Sequence, residues 1–299
     1  MNQQVVLDWF DQNQRDLPWR NTSPWGVMVS EFMLQQTPVG RVLPIWMHWL
    51  AKWPTPRDLA EAPKSEVITD WGRLGYPRRA LRLHQSALII ARDFNNQVPH
   101  DLTDLRALPG VGEYTAAAIT AFAFGEPTLV LDVNIRRLFA RAIDGVEHPN
   151  NSVSQIERTL RYELIPKPGA RSVGARSVGA RSVGARSVGA KWAAATMELG
   201  ALICTSKKPK CELCPLQRSC AWRKAGYPNS EISRKGQSWI GSDRQCRGTI
   251  VQALRENERL SELKLKKIWH DDSQVEKALK TLIADGLIEA IGKSFRLAR

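Results

Sequence analysis

Residues 102–124 read Leu102-Thr103-Asp104-Leu105-Arg106-Ala107-Leu108-Pro109-Gly110-Val111-Gly112-Glu113-Tyr114-Thr115, followed by the apolar run 116–124. Residues 102–108 and 114–124 are helical in pattern, and one proline and two glycines form the turn between them. Such a turn can present successive backbone N–H groups to a phosphate, as helix N-termini and backbone nests do. An ordinary interhelix turn has the same composition, so the hairpin alone leaves both readings open.

Outward from this turn the pattern stays helical. Apolar residues recur at helical spacing in 5–10, 27–34, 42–49, 81–91 and 135–143, with Pro54-Thr55-Pro56, Gly72, Gly75 and Gly125 as punctuation. The first 165 residues therefore predict an all-α architecture. The chain has 299 residues, with 43 Lys+Arg against 30 Asp+Glu and a net charge of +13. That balance favours a polyanionic partner through counterion release. No apolar run is long enough to span a bilayer, and the start (Met1-Asn2-Gln3-Gln4) lacks signal-peptide character, so a cytoplasmic protein is expected.

Four of the five cysteines, Cys204, Cys211, Cys214 and Cys220, are spaced C-x6-C-x2-C-x5-C. Four thiolates so placed can wrap zinc or an iron–sulfur cluster. Zinc ribbons carry two C-x2-C knuckles and this stretch has one, which favours a cubane [4Fe–4S] cluster holding a basic loop (Lys207, Lys208, Lys210, Arg218) in shape. Cys246 reads as a spare thiol. Between the two regions, Gly-Ala-Arg-Ser-Val repeats four times from Gly169 to Val188, and a broken fifth copy follows. A period of five matches neither helix nor strand, so residues 169–190 are expected to form a basic loop, with its arginines on DNA phosphates as the alternative. After a polar linker (224–243), residues 249–256 and 274–285 look helical, the second capped by Asp272 or Ser273. Residues 287–297 look like a hairpin, and residues 244–299 predict a small α+β, winged-helix-like module.

Two carboxylates stand out. Glu31 lies inside the apolar helical run Val27-Met28-Val29-Ser30-Glu31-Phe32-Met33-Leu34, and Asp132 precedes a helix beginning near Val133. The first position suits a carboxyl that keeps its proton. The second suits an ionised carboxylate, because a helix N-terminus lowers its pKa. Glycosidic cleavage needs one of each.

Together these residues resemble the MutY-type adenine DNA glycosylases of the helix-hairpin-helix glycosylase superfamily. The resemblance covers residues 5–223 and rests on Leu17-Pro18-Trp19-Arg20, Val29 to Leu34 with Gln35-Gln36-Thr37, Leu74-Gly75-Tyr76, Leu108 to Thr115, and Met197-Glu198-Leu199-Gly200-Ala201. It implies a six-helix domain (20–127) and an iron–sulfur domain (1–19 with 128–223). It also implies a monomer that flips adenine out of double-stranded DNA and hydrolyses its glycosidic bond opposite 8-oxoguanine or guanine. Glu31 matches the acid that protonates adenine and then activates water. Asp132 matches the carboxylate that stabilises the sugar cation through a covalent intermediate, and Tyr114 and Asn134 match the supporting partners of these two carboxylates. Trp19 and Arg20 match the adenine pocket; Gln36, Thr37 and Tyr76 match groups entering the stack beside the oxidised guanine. Leu108, Gly110 and Gly112 match the DNA-contacting hairpin.

Endonuclease III-like relatives carry a lysine where Tyr114 stands, and tyrosine forms no Schiff base, which implies a monofunctional enzyme. A pyrimidine-lesion glycosylase and a non-catalytic iron–sulfur DNA-binding protein are the alternatives. The family's larger Nudix-like module, which helps recognise 8-oxoguanine, does not fit in the residues after the cluster. The repeats and the run Lys191-Trp192-Ala193-Ala194-Ala195-Thr196 are further departures.

Overall fold

The computed structural model describes residues 1–167, 187–230 and 239–299. It divides into two units. Unit 1 comprises Met1–Val27, His100–Arg106 and Val111–Arg234; unit 2 comprises Met28–Pro99, Ala107–Gly110 and Lys235–Arg299.

Unit 1 is helical. Gln3–Asn13, Glu113–Phe124, Val133–Phe139 and Val188–Leu202 pack around Val6, Phe10, Ala118, Ile135, Leu138, Phe139, Trp192 and Leu199. Alanines dominate the Glu113–Phe124 helix, so neighbouring helices approach closely. Gly200 lies against the Asn134 backbone, where a Cβ would fall 2.6 Å from the carbonyl oxygen. That explains the glycine of the Met197–Gly200 motif: a side chain there would push two helices apart.

The repeat array splits in two. Residues 169–186 lie outside the described residues, but Ser187 caps a helix by accepting from the Ala190 N–H, and Val188–Leu202 follows. The end of the array is therefore the start of a helix rather than loop, with Ala190 buried against the unit 1 core.

Unit 2 packs Pro56–Glu61, Lys64–Asp70 and Arg78–Asp93 with Val39–Lys52, around Trp49, Leu59, Ile68, Trp71 and Ile90. Thr55 opens one helix with a full capping box to Asp58. The last part of the chain is a helix (Asp243–Glu256), a short strand β1 (Leu260–Ser261) and two more helices (Glu262–Lys267 and Asp272–Ala284). Strands β2 (Ile288–Ile291) and β3 (Ser294–Leu297) close it. The antiparallel sheet has the order β1-β3-β2, with Leu260 opposite Phe295 and Ile288 opposite Leu297. This is the winged-helix order of elements. The Asp243–Glu256 helix starts earlier than its apolar pattern suggested, because Ser242 caps it. The cap of Asp272–Ala284 is Asp271 rather than Asp272 or Ser273. Cys246, the spare thiol, is fully buried in this module, and burial pushes its pKa up to about 11. The module shares one apolar core with Ile68 and Leu81 from earlier helices of the unit.

Candidate functional site

Glu31 is 5% exposed on the Pro24–Leu34 helix, with Met28, Ser30, Phe32 and Met33 almost fully buried around it in sequence. The C-terminal end of that helix is held by a residue the sequence reading missed. Arg79 is buried and donates from Nη1 to the Phe32 carbonyl (3.0 Å) and to that of Gln35. Its Nη2 donates to Thr37 Oγ1 (3.1 Å) and the Gly75 carbonyl (3.0 Å). A guanidinium on the last carbonyls of a helix satisfies orphan acceptors and opposes the macrodipole. Burial pushes its pKa down to about 10. Thr37 Oγ1 also donates to the Leu74 carbonyl at 3.0 Å. The turns carrying Gln36 and Thr37 and carrying Tyr76 are thus brought together, and both Gln36 (φ 57°) and Tyr76 (φ 47°) have left-handed backbones. Such strain persists only where surrounding contacts enforce it, and it clusters at functional positions. Arg79 lay on the apolar stripe with Leu83 and Ile90, and a charge on a buried stripe was the available signal.

In the hairpin, Gly110 (φ 83°) needs glycine twice over. Its backbone is left-handed, and a Cβ would fall 2.8 Å from Phe32 and 2.9 Å from the Arg82 Cβ. Ser86 Oγ donates to the Pro109 carbonyl at 2.8 Å, fixing the turn. Gly112 caps the Glu113–Phe124 helix with an extended backbone, and nothing stands within 4 Å of where its Cβ would be. That open face gives a phosphate room to approach. Leu108 is buried, and Tyr114, one residue into the helix, is partly buried against the unit 1 core.

Also in unit 1, Asp132 is the N-cap of Val133–Phe139. Its carboxylate accepts from the Ile135 N–H (2.6 Å) and from Asn134 Nδ2 (2.7 Å). The helix terminus was expected to lower its pKa. Instead, burial raises it, and those hydrogen bonds, which pull the other way, do not cancel the desolvation. Arg137 fixes Asn134 in turn, donating to Asn134 Oδ1 (2.9 Å) and to the Gly200 and Cys204 carbonyls (2.7 Å each). Trp19 is buried and Arg20 adjoins it on the Pro18–Arg20 turn. Glu198, 2% exposed, takes Arg15 bidentately (2.8 and 2.7 Å) and Arg20 at 3.1 Å. These partners hold the Glu198 carboxyl below its ordinary pKa, although burial pulls against them. A glutamate within an apolar helix was the visible sign of this anchor; its partner Arg15 gave none.

Cys204, Cys211, Cys214 and Cys220 line one cavity with Leu138, Ile203, Leu216 and Trp222. Among the described residues, no three His, Cys, Asp or Glu side chains converge as tightly as a single ion needs. A cubane holds its ligands farther apart, so the four thiols around an apolar-walled cavity fit a cluster better than zinc. Burial pushes the Cys214 thiol up to about 12 and raises Cys204 as well, so loading must release protons. Arg141, fully buried, donates to the Thr205 (2.7 Å) and Ser206 (3.1 Å) carbonyls and lies 3.6 Å from Cys204 Sγ.

Residues 29–165 match the HhH-GPD superfamily of base excision DNA repair proteins, and residues 204–220 match the iron-sulfur binding domain of endonuclease III. An adenine DNA glycosylase of Mycobacterium tuberculosis is 43% identical over 288 residues, covering 95% of this chain and 88% of the relative. The chain belongs to the adenine DNA glycosylases. As a member it is a base excision repair enzyme that acts on DNA and carries an endonuclease III-type [4Fe–4S] motif. The fold agrees. The structure of a thermostable thymine-DNA glycosylase aligns with a TM-score of 0.64 and 27% identity, covering 75% of this chain and 95% of that one. A non-covalent endonuclease III–DNA complex aligns with a TM-score of 0.58 and 21% identity, over 75% and 94% of the two chains, and shows the same fold. The match to the mycobacterial glycosylase spans nearly all of this chain, so the winged-helix-like module is not peculiar to it. Among the described residues, no helix is long and apolar enough to cross a membrane.

Proposed function

We propose that this adenine glycosylase is a monofunctional, monomeric cytoplasmic enzyme that excises adenine mispaired with 8-oxoguanine or guanine in double-stranded DNA. The observation that carries the reading is Glu31: a carboxyl 5% exposed within an apolar helix stands where glycosidic cleavage needs its general acid. In this mechanism Glu31 protonates the adenine ring and the C1′–N bond breaks with its electron pair leaving on adenine. Asp132 faces the resulting sugar cation and captures it covalently. Water then displaces the aspartate and gives its proton to the Glu31 carboxylate. Tyr114 and Asn134 support Asp132; Trp19 and Arg20 line the adenine pocket. Gln36, Thr37 and Tyr76 enter the stack on the opposite side, and the hairpin of Leu108, Gly110 and Gly112 takes the backbone. With tyrosine at 114 and no amine in its place, strand cleavage does not accompany base release.

Cys204, Cys211, Cys214 and Cys220 would hold the [4Fe–4S] cluster, which supplies structural support for the basic loop rather than chemistry on the sugar. We assign residues 20–127 to the six-helix domain, and residues 1–19 with 128–223 to the cluster domain. Residues 224–243, of which 231–238 lie outside the described residues, are assigned as its linker to the module at 244–299.

Single-turnover reactions on duplexes with adenine opposite 8-oxoguanine, guanine or thymine test this. Adenine release from the first two, with strand breaks only after alkali, is expected, and Glu31→Gln and Asp132→Asn should abolish it. Full release by the Glu31→Gln protein would overturn the assignment. Purified protein should be brown and contain iron; a colourless zinc protein would refute the cluster.

A further inference from the structure

Unit 2 contains a groove of about 1040 Å³ between the turns of Gln36 and Tyr76 and the Asp243–Glu256 helix. It is more basic than folding requires. Of its lining arginines, Arg78 and Arg247 share the single carboxylate of Asp285, at 3.3 and 2.5 Å. Arg79 and Arg255 donate to backbone carbonyls. Arg41, Arg73, Arg82 and Arg244 are exposed, and among the described residues no carboxylate pairs with them. Four cations left together in a groove call for a polyanion.

Arg244 differs from the other three in what surrounds it. Its Nη1 donates to the Tyr76 hydroxyl at 3.1 Å, and its guanidinium lies 6.0 Å from the centroid of the Trp239 ring. Tyr76 is 47% exposed and Trp239 55%, both lining the groove. The helix bearing Arg244 is anchored through Ile250, Val251 and Leu254 in the core shared with Ile68 and Leu81. The guanidinium is therefore held on a rigid element beside one aromatic face, a tyrosine hydroxyl and two strained turns.

We propose that Arg244 is a specificity-determining residue that reads the base opposite the excised adenine, while Arg41, Arg73 and Arg82 contact the phosphates of that strand. This rests on the reading of Gln36 and Tyr76 as groups that enter the stack on that side. Arginine offers a planar fork of donors and no acceptor. Guanine presents two adjacent acceptors on one edge, N7 and O6, whereas 8-oxoguanine presents O6 and O8 on either side of an N7–H donor. Cytosine presents an amino donor instead. The fork therefore takes guanine bidentately and 8-oxoguanine through one carbonyl oxygen, and it rejects cytosine. The winged-helix-like module thus supplies opposite-base recognition through one side chain.

The test is equilibrium binding to duplexes carrying a non-hydrolysable abasic-site analogue opposite 8-oxoguanine, guanine or cytosine. It requires no catalysis, so it is separable from the adenine-release assay: failure of release would refute the glycosylase mechanism, and the binding pattern stands apart from it. Wild-type protein should prefer the two guanine-class duplexes. R244A should lose that preference by roughly ten- to hundredfold, and R244K, a point charge, should not restore it on the guanine duplex. R82A should weaken all three duplexes alike. An equal loss on all three duplexes with R244A would make Arg244 a phosphate contact and overturn the inference. Preserved preference in R244A, or no preference in the wild type, would overturn it as well.

Discussion

Replacing Arg79 by leucine removes the clamp that joins the end of the Glu31 helix to the turns of Gln36 and Tyr76. Two of its acceptors, the Phe32 carbonyl and Thr37 Oγ1, are reached by hydrogen bonds in buried surroundings. Orphaning each costs about 1–3 kcal/mol, whereas the partly exposed Gln35 and Gly75 carbonyls can turn to water. Against this, leucine removes the cost of burying a charge. The drop in the arginine pKa from 12.5 to about 10 puts that cost on the order of 3 kcal/mol in the charged state, already met within the wild-type balance. Leucine's burial returns about 1–2 kcal/mol, so the terms nearly cancel and the net change in stability is within about 3 kcal/mol of zero. Urea unfolding followed by tryptophan fluorescence reports on this directly, because the guanidinium lies 5.4 Å from the Trp71 ring centroid. The midpoint should therefore shift by no more than roughly 1.5 M at ordinary slopes. Adenine release should drop further than stability does, since Glu31 loses the end of its helix. Arg79→Lys should recover only part of either quantity, as one ammonium cannot span acceptors on both turns. An Arg79→Leu protein with an unchanged midpoint and unchanged release would refute the clamp.

Three further outcomes follow from the geometry. Glu198→Gln should loosen Arg20 and raise KM for mispaired duplex more than it lowers kcat. Because the folded pKa of Glu198 is lowered, its stabilisation is complete above about 4.3 and is lost as pH falls through the folded value; the variant should flatten acid unfolding there, and identical acid curves would contradict this. Gly110→Ala should weaken duplex binding at least tenfold and cost about 2–4 kcal/mol, since left-handed backbone and two sub-3 Å contacts coincide; wild-type affinity by fluorescence anisotropy would count against the hairpin reading. Asp132 must be ionised to face the sugar cation, and burial raises its pKa. The acid limb of single-turnover release should therefore lie above the usual aspartate value, and a limb at or below about 3.9 would contradict the desolvated site.

Much of this was legible in residues with strong local constraints. The hairpin showed itself because Pro109, Gly110 and Gly112 interrupt two helical runs, and the cysteine spacing could be counted directly. Glu31 stood out as a charge in an apolar run. What stayed hidden depends on distant partners. Arg15 and Glu198 meet across 183 residues of sequence. Arg244 and Tyr76 meet across 168. Strand β1 is two residues long and too short to carry a period. The pKa of Asp132 was misjudged because the helix terminus is visible in sequence and the burial that outweighs it is not. Ser187 and Val188 looked like repeat, yet a serine before an apolar run also caps a helix.

The core shared by Ile68, Leu81 and the last part of the chain has a consequence for synthesis. About 165 residues separate Leu81 from Cys246, the first member contributed by the module. At typical translation speeds of 5–20 residues per second, that apolar face waits roughly 10 to 30 s before its cover leaves the ribosome. The cluster-bearing segment emerges during that interval. Unit 2 therefore completes last, and until then Ile68 and Leu81 are a sticky surface on a growing chain. Holdase chaperones should engage the nascent protein in that window, and ribosome-bound chains stopped before Cys246 should aggregate more readily than chains carried through to Leu297.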